Sequence, residues 1–386
     1  MKQQLIKYLY CPSCKGDLKL STDSQLVQHQ QNVSAASHHS LRVTPKGKGS
    51  KRGAVRRSFE GYLKAAGPSV NGTPNNLVDT VLEEILEGNL ICTKCSKNYF
   101  IQEGVPIFTR EIVNPKVKLT AKNFAYSWQN FSRINMSFYK KQFFDWISPV
   151  NEDFLKDKFV LDAGCGKGHH LLMISSYVKE AIGVDISNSA FIAYNNIKHL
   201  SNIHIIQADL NNLPLKDELF DYIYSVGVVH HTESPKETTK NLYKKLKPNG
   251  KISIWVYGRE NNLWIIYLIN PIRNLITKLF PPQIIHVLSF FIALFLYPIL
   301  KAIYFPASKY SFLKPLQKLL FYYPYLSYIS NFDFIEINNI IFDHLVAPIS
   351  HYMSKEEVNN TANFNNNNIN IEWHNQNSWR VLISKK

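Results

Sequence analysis

Between Phe159 and Gly258 the chain alternates short apolar, β-rich runs with stretches of helical spacing. The runs are FVLDAG from Phe159, EAIGVDI from Glu180, NIHIIQAD from Asn202, FDYIYSVG from Phe220 and GKISIWVY from Gly250. Strands separated by helices predict βαβ crossovers and a mostly parallel sheet. The tail over 350–386 predicts one helix (SKEEVNNTANF) and two short strands, NINIEWH and SWRVLIS. Upstream, residues 115–155 hold an aromatic-rich amphipathic stretch with Phe124, Tyr126, Trp128 and Phe131, read as helical. Residues 261–332 break the pattern, being intensely apolar and free of Asp and Glu. Inside them IIHVLSFFIALFLYPIL, residues 284–300, is almost continuously apolar, with His286 and Pro298 within it. At 17 residues it meets only the lower limit for a spanning helix. A helical lid over a substrate pocket, an interfacial membrane anchor and a true span stay open. The position between the fifth strand and the tail strands favours the lid, and a span would part those strands from the sheet they complete.

Two segments at the N-terminus, 1–20 and 88–112, each carry a CxxC with strand-like flanks: Cys11-Pro-Ser-Cys14 and Cys92-Thr-Lys-Cys95. Four thiolates form the ligand set of a tetrahedral, closed and therefore structural zinc site. The gap between the pairs exceeds the common spacing of about 15–20 residues, but loop closure penalises length only logarithmically. Residues 21–80 fill that gap, polar and low in aromatics, and read as a disordered basic insertion. A redox CxxC is the alternative, although neither pair lies on a thioredoxin-like strand-to-helix turn. Cys165, elsewhere in the chain, is not a fifth ligand. Cysteine usage points to a reducing, cytoplasmic compartment, and the first residues lack the apolar run of a secretory leader.

The clearest motif is Leu161-Asp162-Ala163-Gly164-Cys165-Gly166-Lys167-Gly168, following a strand and opening a helical run. Glycines at alternate positions let the chain turn tightly and bring backbone N–H groups against a ligand at a helix N-terminus. The loop lacks the ending of a phosphate-cradling NTPase loop. Asp185 ends the second strand, near the roughly 20-residue offset of a ribose-binding acid. Asp209 ends the third, and Ser225 to Gly227 follow the fourth. These positions share the carboxyl end of a parallel sheet, where open α/β sheets bind ligands.

With LDAGCGKG, GVDIS, ADLNNLPLKDELFDYIYSVGVVHHTESP and LKPNGKISIWVY, the chain resembles the class I S-adenosylmethionine-dependent methyltransferases of the type 11 group. The resemblance is dense over 120–260 and loose in the tail strands. It implies an α/β fold: a Rossmann-like seven-stranded sheet with an antiparallel last hairpin, here with an N-terminal zinc β-ribbon and an apolar helical insertion. The implied domains are the ribbon (1–20 and 88–112), the methyltransferase domain (115–260 and 333–386) and the insertion (261–332). The implied cofactor is S-adenosyl-L-methionine. Asp162, Gly164 and Gly166 would surround its methionine, Asp185 with Ile186 its ribose, and Asp209 with Leu210 its adenine, with Ser225 near the sulfonium. A nicotinamide-dependent enzyme is the rival; Asp162 and the FDYIYSVGVVHH segment count against it. The CxxC flanks, LYCPSCKGDL and GNLICTKCSKNYFIQEGVPIF, resemble small zinc-ribbon proteins that activate tRNA and protein methyltransferases.

Methyl transfer from a sulfonium is an in-line displacement, in which alignment supplies much of the catalysis and a base is needed only when the acceptor loses a proton. His230 and His344 are the candidate bases, against the plainer reading that either ring packs. Trp128 and Tyr126 are candidates to close the cofactor pocket. The chain has 386 residues and a net charge of +15, which raises nucleic acid, a membrane surface or an anionic substrate as partners. Residues 41–66 carry +7 and residues 261–332 carry +6, so the excess belongs to two insertions. On these grounds the leading expectation is a small-molecule or lipid-linked acceptor (glycan, quinone-like or secondary metabolite), handled in the cytoplasm, peripheral to an anionic inner membrane face. The alternative is an RNA methyltransferase; the third reading is a non-catalytic zinc-ribbon adaptor, against which the intact loop and strand-end acids stand.

Overall fold

The computed structural model describes residues 1–21, 25–29, 82–109, 114–131, 136–365 and 367–386. Most of the expected disordered insertion, 21–80, lies outside the described residues. One part of that expectation is corrected: β2 (Gln25–His29) pairs antiparallel with β3 (Leu82–Cys92). β3 starts six residues ahead of the expected ribbon segment and so offers edge N–H and C=O groups that a second strand can satisfy. With β1 (Leu18–Leu20), β4 (Asn98–Gln102) and β5 (Val105–Pro106) these strands form the five-stranded ribbon.

The main sheet has seven strands: β6 (Phe159–Ala163), β7 (Glu180–Asp185), β8 (Ile203–Gln207), β9 (Phe220–Val226), β10 (Leu246–Tyr257), β11 (Asn367–His374) and β12 (Ser378–Lys385). Their order is β11-β12-β10-β9-β6-β7-β8, parallel from β10 through β8, with β12 antiparallel to both of its neighbours. This is the expected Rossmann-like sheet with its antiparallel hairpin. β6 and β8 are buried along their whole length, as continuous apolar runs covered on both faces require. The order reverses between β6 and β9, so the loops after these strands open the crevice in which such sheets bind ligands.

The ribbon caps the edge strand β8. Ile107 bridges to Gln207 in parallel, and the Phe108 N–H donates to the Gln207 carbonyl at 2.8 Å. Lys2 Nζ donates to the Ile203 carbonyl at 2.7 Å, and the Tyr194 hydroxyl to Glu84 of the ribbon at 2.7 Å. An exposed strand edge is thereby paired.

Helix α1 (Pro115–Asn130) is capped by Asn114, whose side chain accepts from the N–H groups of Lys116 and Val117. The insertion after β10 forms α2 (Asn270–Leu279) and α3 (Pro282–Ile299), and α3 runs on helically to Lys309. Downstream lie α4 (Tyr323–Ile329) and α5 (Phe334–Val346). α3 buries one stripe, Ile285, Ser289 and Ala293, spaced four residues apart as one face of a helix must be. Ser289 Oγ donates to Asn338 of α5 at 2.8 Å. α5 in turn is tied to α1, through Asn123 Nδ2 to the Val346 carbonyl (2.8 Å) and Ser127 Oγ to Asp343 (2.9 Å). The expected C-terminal helix is present over Lys355–Ala362, closed by a capping box between Ser354 and Glu357.

Candidate active site

At the end of β6 the chain turns through Gly164 and Gly166, both at positive φ (94° and 51°). A Cβ on Gly164 would lie 2.3 Å from the Val228 side chain, and one on Gly166 would lie 2.9 Å from the Trp128 ring. Conformation and space both demand glycine there. The Gly166 N–H donates to Asp185 Oδ2 at 3.0 Å, while Asp185 Oδ1 accepts from the Ser187 N–H (2.9 Å) and hydroxyl (2.6 Å). Asp185 therefore braces the glycine loop from the neighbouring strand. Asp209 caps the turn that follows β8, accepting from the Asn211 N–H at 2.8 Å. Ser225 Oγ donates to the Ala163 carbonyl at 2.9 Å and cross-links β9 to β6.

A cavity of about 350 Å³ opens over these strand ends. Gly164, Gly166, Asp185, Ile186, Asp209 and Leu210 line one end of it. Asp162 and Ser225 are not among its lining residues. Asp162 is buried at the end of β6, its carboxyl beside the buried Tyr224 hydroxyl. Trp128 lines the cavity against the loop, as expected; Tyr126 does not, and its hydroxyl instead meets His286 Nδ1 at 3.2 Å. The cavity continues beneath the insertion, where Tyr257, Asn262, Tyr322, Tyr325, Asp343 and His344 line it. Asn262, Tyr322 and Tyr325 come from the two ends of the segment between β10 and α5; none of residues 284–300, read as a helical lid over the pocket, lines the cavity.

The two histidine candidates are placed differently. His344 lines the cavity; its Nε2 is 3.2 Å from the Tyr325 hydroxyl and its ring stacks on Tyr257, with centroids 5.8 Å apart. His230 does not line the cavity: it is wholly buried, its ring against Tyr257 at 4.1 Å, and neither ring nitrogen has a partner. Its neighbour His231 faces the space instead. His231 Nδ1 lies 2.5 Å from the Ile349 carbonyl, so that nitrogen carries the proton and Nε2 keeps its lone pair. Sequence reasoning missed His231, Tyr257, Tyr322, Tyr325 and Asp343. The His-His pair is the signal for the first; the tyrosines and Asp343 carry none.

Burial dominates the electrostatics. It pushes the Asp162 carboxyl up to about 8 and that of Asp343 to about 7. It lowers His344 to about 4 and His231 and His170 to about 3, with the Arg273 charge adding to the effect at His344 and His231. The consequences for stability run in opposite directions. A buried histidine with a lowered pKa makes the unfolded chain bind more protons below about pH 6.5, so stability falls as acid is added. A buried carboxyl with a raised pKa makes the folded chain bind more protons above the ordinary carboxylate pKa, so stability falls as pH rises through about 8. Histidines outweigh carboxyls below pH 6.5. Above it the carboxyls are opposed by the buried Met1 amino group, lowered to about 5, and above about pH 8 by Lys2 and Lys167, both lowered to about 8. Relative to wild type, D162N/D343N is expected to gain Tm as pH rises from about 6 to 8, within the window in which these two carboxyls act. Scanning calorimetry from pH 5 to 9 checks this; a Tm difference between the double variant and wild type that stays constant over that window contradicts it.

The four N-terminal cysteines converge. All their Sγ atoms lie within 4.8 Å of one another, with Cys11–Cys95 at 3.7 Å and Cys14–Cys92 at 3.4 Å. A tetrahedron of Zn–S bonds of about 2.3 Å has S–S edges of about 3.8 Å, close to these separations. The N–H groups of Lys94 and Cys95 each donate to Cys92 Sγ at 3.4 Å, which suits a thiolate. Cys165 is buried in the glycine loop, outside this cluster.

The family described as "Methyltransferase domain", the type 11 group, matches residues 161–254. Two curated relatives are each named tRNA U34 carboxymethyltransferase. That of Cellvibrio japonicus is 30% identical over 119 residues, 29% of this chain and 37% of the relative. That of Pseudoalteromonas atlantica is 32% identical over 116 residues, 28% of this chain and 36% of the relative. The matches therefore span little more than a third of those relatives. Among solved structures, the PH0226 protein from Pyrococcus horikoshii overlaps 64% of this chain and 91% of its own at 18% identity, with a TM-score of 0.39. The names of the two relatives overturn the leading expectation of a small-molecule or lipid-linked acceptor, which rested on the apolar insertion and its cationic charge; both are named for a nucleoside of tRNA. The glycine loop, the strand-end acids and the seven-stranded sheet belong together, and residues 161–254 are a methyltransferase domain of the type 11 family.

Proposed function

We propose that this chain is an S-adenosyl-L-methionine-dependent methyltransferase whose acceptor is an RNA, with tRNA the class to assay first. The observation that carries the acceptor is the similarity to enzymes named for tRNA U34. The site residues fit the cofactor. Asp162 is a buried acid at the end of β6 where the glycine loop begins, suited to a cationic ammonium, and Asp185 is an acid fixed at a strand end beside the cavity, suited to ribose hydroxyls. Gly164 and Gly166 leave the room that backbone approach to the methionine requires. Ile186 and Leu210 supply apolar walls, and Asp209 a polar rim, for the adenine. When bound, the cofactor supplies an electrophilic methyl on sulfur. The chain's own work is to align the acceptor and to exclude water from the cavity.

His231 is the residue we assign to orient the acceptor, since it lines the cavity and its unprotonated Nε2 can accept a hydrogen bond; His344 lines the same space from the side of α5. Four sulfurs at tetrahedral spacing support structural zinc at Cys11, Cys14, Cys92 and Cys95. The test is transfer of labelled methyl from S-adenosyl-L-methionine to bulk tRNA. The expected outcome is ribonuclease-sensitive incorporation that His231→Ala lowers by about 100-fold in kcat while cofactor affinity is kept. Label absent from RNA, with the cofactor bound normally, overturns the acceptor assignment.

A further inference from the structure

The insertion turns apolar side chains outward. On α2 the buried residues are polar, Arg273 and Thr277, while Ile272, Leu275 and Leu279 face outward at 45%, 57% and 63% exposure. On α3 the buried stripe includes Ser289, while Val287, Phe291 and Phe295 point away at 56%, 53% and 73%. Farther along, Phe312 and Leu319 are exposed at 76% and 84%. A soluble helix turns its apolar stripe inward and its polar residues out; α2 does the reverse, and α3 is apolar on its exposed face as well as on its buried one. Apolar surface of this extent on one module marks a docking face.

Charge names the partner. No acid occurs over residues 261–332, and Lys278, Lys309, Lys314 and Lys318 are all exposed there. We propose that this face docks on an anionic phospholipid bilayer, with the side chains of α2 and α3 in the acyl–headgroup boundary and the lysines among the headgroups. A second copy of the chain would meet the same acid-free cationic face with its own, and like charges would oppose the contact. An RNA backbone would satisfy the lysines and leave the phenylalanines unmatched, because nucleic-acid interfaces are polar. α3 with its continuation, Pro282–Lys309, is long and apolar enough to cross a bilayer by length and composition. It lies along the surface instead. Its stripe is held by α5 through Ser289 and Asn338, Lys301 Nζ donates to the Ser330 carbonyl at 2.7 Å, and the chain leaves the helix to rejoin the same body. The buried side of α3 rests on α5, whose Glu336, Asn339, Ile340, Asp343 and His344 line the cavity, and the outer face stands independently of the acceptor assigned above.

Sedimentation of the full chain with vesicles tests this, using phosphatidylcholine alone and with 30% phosphatidylglycerol. The expected result is binding to the anionic vesicles at least tenfold tighter than to the neutral ones and weakened by salt. F291D/F295D abolishes it, K309E/K314E/K318E reduces it at least tenfold, and thermal melts of both variants stay at the wild-type value because every substituted side chain is exposed. Three outcomes overturn the proposal: wild type that stays in the supernatant with anionic vesicles, F291D/F295D that sediments like wild type, or a wild-type dimer that F291D/F295D splits without any vesicle binding. Filter binding to RNA that is lost in the lysine variant, with no vesicle binding, overturns it as well and gives the face to nucleic acid.

Discussion

Asp185→Ala is expected to raise the dissociation constant for S-adenosyl-L-methionine by about 100-fold or more. Two effects combine at this one carboxylate. It is the acid at the end of β7 beside the cavity, so its removal deletes the acceptor assigned to the ribose hydroxyls. It also holds the Gly166 N–H at 3.0 Å and the Ser187 N–H and hydroxyl at 2.9 and 2.6 Å, so its removal releases the loop that must approach the methionine. Hydrogen bonds to a charged partner contribute about 1.5–3 kcal/mol each, and two of them lost from the bound state correspond to about two to four orders of magnitude in affinity. Asp185→Asn separates the two roles. Its amide oxygen can still accept from Ser187, but its NH₂ cannot accept from Gly166, so an intermediate loss is expected. Titration calorimetry measures both variants, with a thermal melt to establish that each is folded. A loss smaller than about fivefold for Asp185→Ala would remove Asp185 from the cofactor site.

Much of this arrangement is legible in the residue pattern, because the signals are local. Strand–loop–helix punctuation around Gly164 and Gly166 is a short-range feature, and a residue at the end of a parallel strand is placed at the ligand end by topology alone. Asp185 and Asp209 are located in the same way. His230 and His231 cannot be separated so, since neighbouring positions in a tight turn face opposite ways and only the packing of Tyr257 and Ile349 decides which ring meets the cavity. Tyr257, Tyr322, Tyr325 and Asp343 are equally hidden, because they converge from three separate segments through tertiary contacts. The acceptor is misjudged from sequence for a related physical reason. An apolar, acid-free insertion next to a cofactor site reads as a substrate pocket, whereas Leu275, Val287, Phe291, Phe295 and Leu319 of it face outward, and only its ends, among them Asn262, Ile265, Tyr322 and Phe332, reach the cavity. Charge is more informative at the level of segments. Residues 261–332 carry an excess of +6 and no acid, and the bilayer proposed for their exposed face rests on that one-sided composition.

Cys92→Ala is expected to empty the ribbon of zinc and to uncouple it from the main sheet. Cys92 ends β3, is almost fully buried and has its sulfur 3.4 Å from that of Cys14. Alanine there leaves three thiols where a closed tetrahedral site requires four. Structural zinc sites of this kind contribute about 10–16 kcal/mol of apparent binding free energy at neutral pH, more than a split ribbon with a long internal insertion can replace by packing. Metal analysis of the purified chain should therefore fall from about one zinc per wild-type molecule to near none. The damage should also reach β8, because the ribbon supplies the Phe108 N–H to the Gln207 carbonyl and the Lys2 ammonium to the Ile203 carbonyl. Hydrogen exchange at residues 203–207 should accelerate, while affinity for S-adenosyl-L-methionine stays within about threefold, since Asp185 and the glycine loop are held by bonds that do not involve the ribbon. Wild-type protein that carries no zinc when prepared in its presence, or whose four cysteines prove to be paired as disulfides, rules the metal site out. A variant that keeps its zinc and the exchange protection of β8 removes Cys92 from the ligand set.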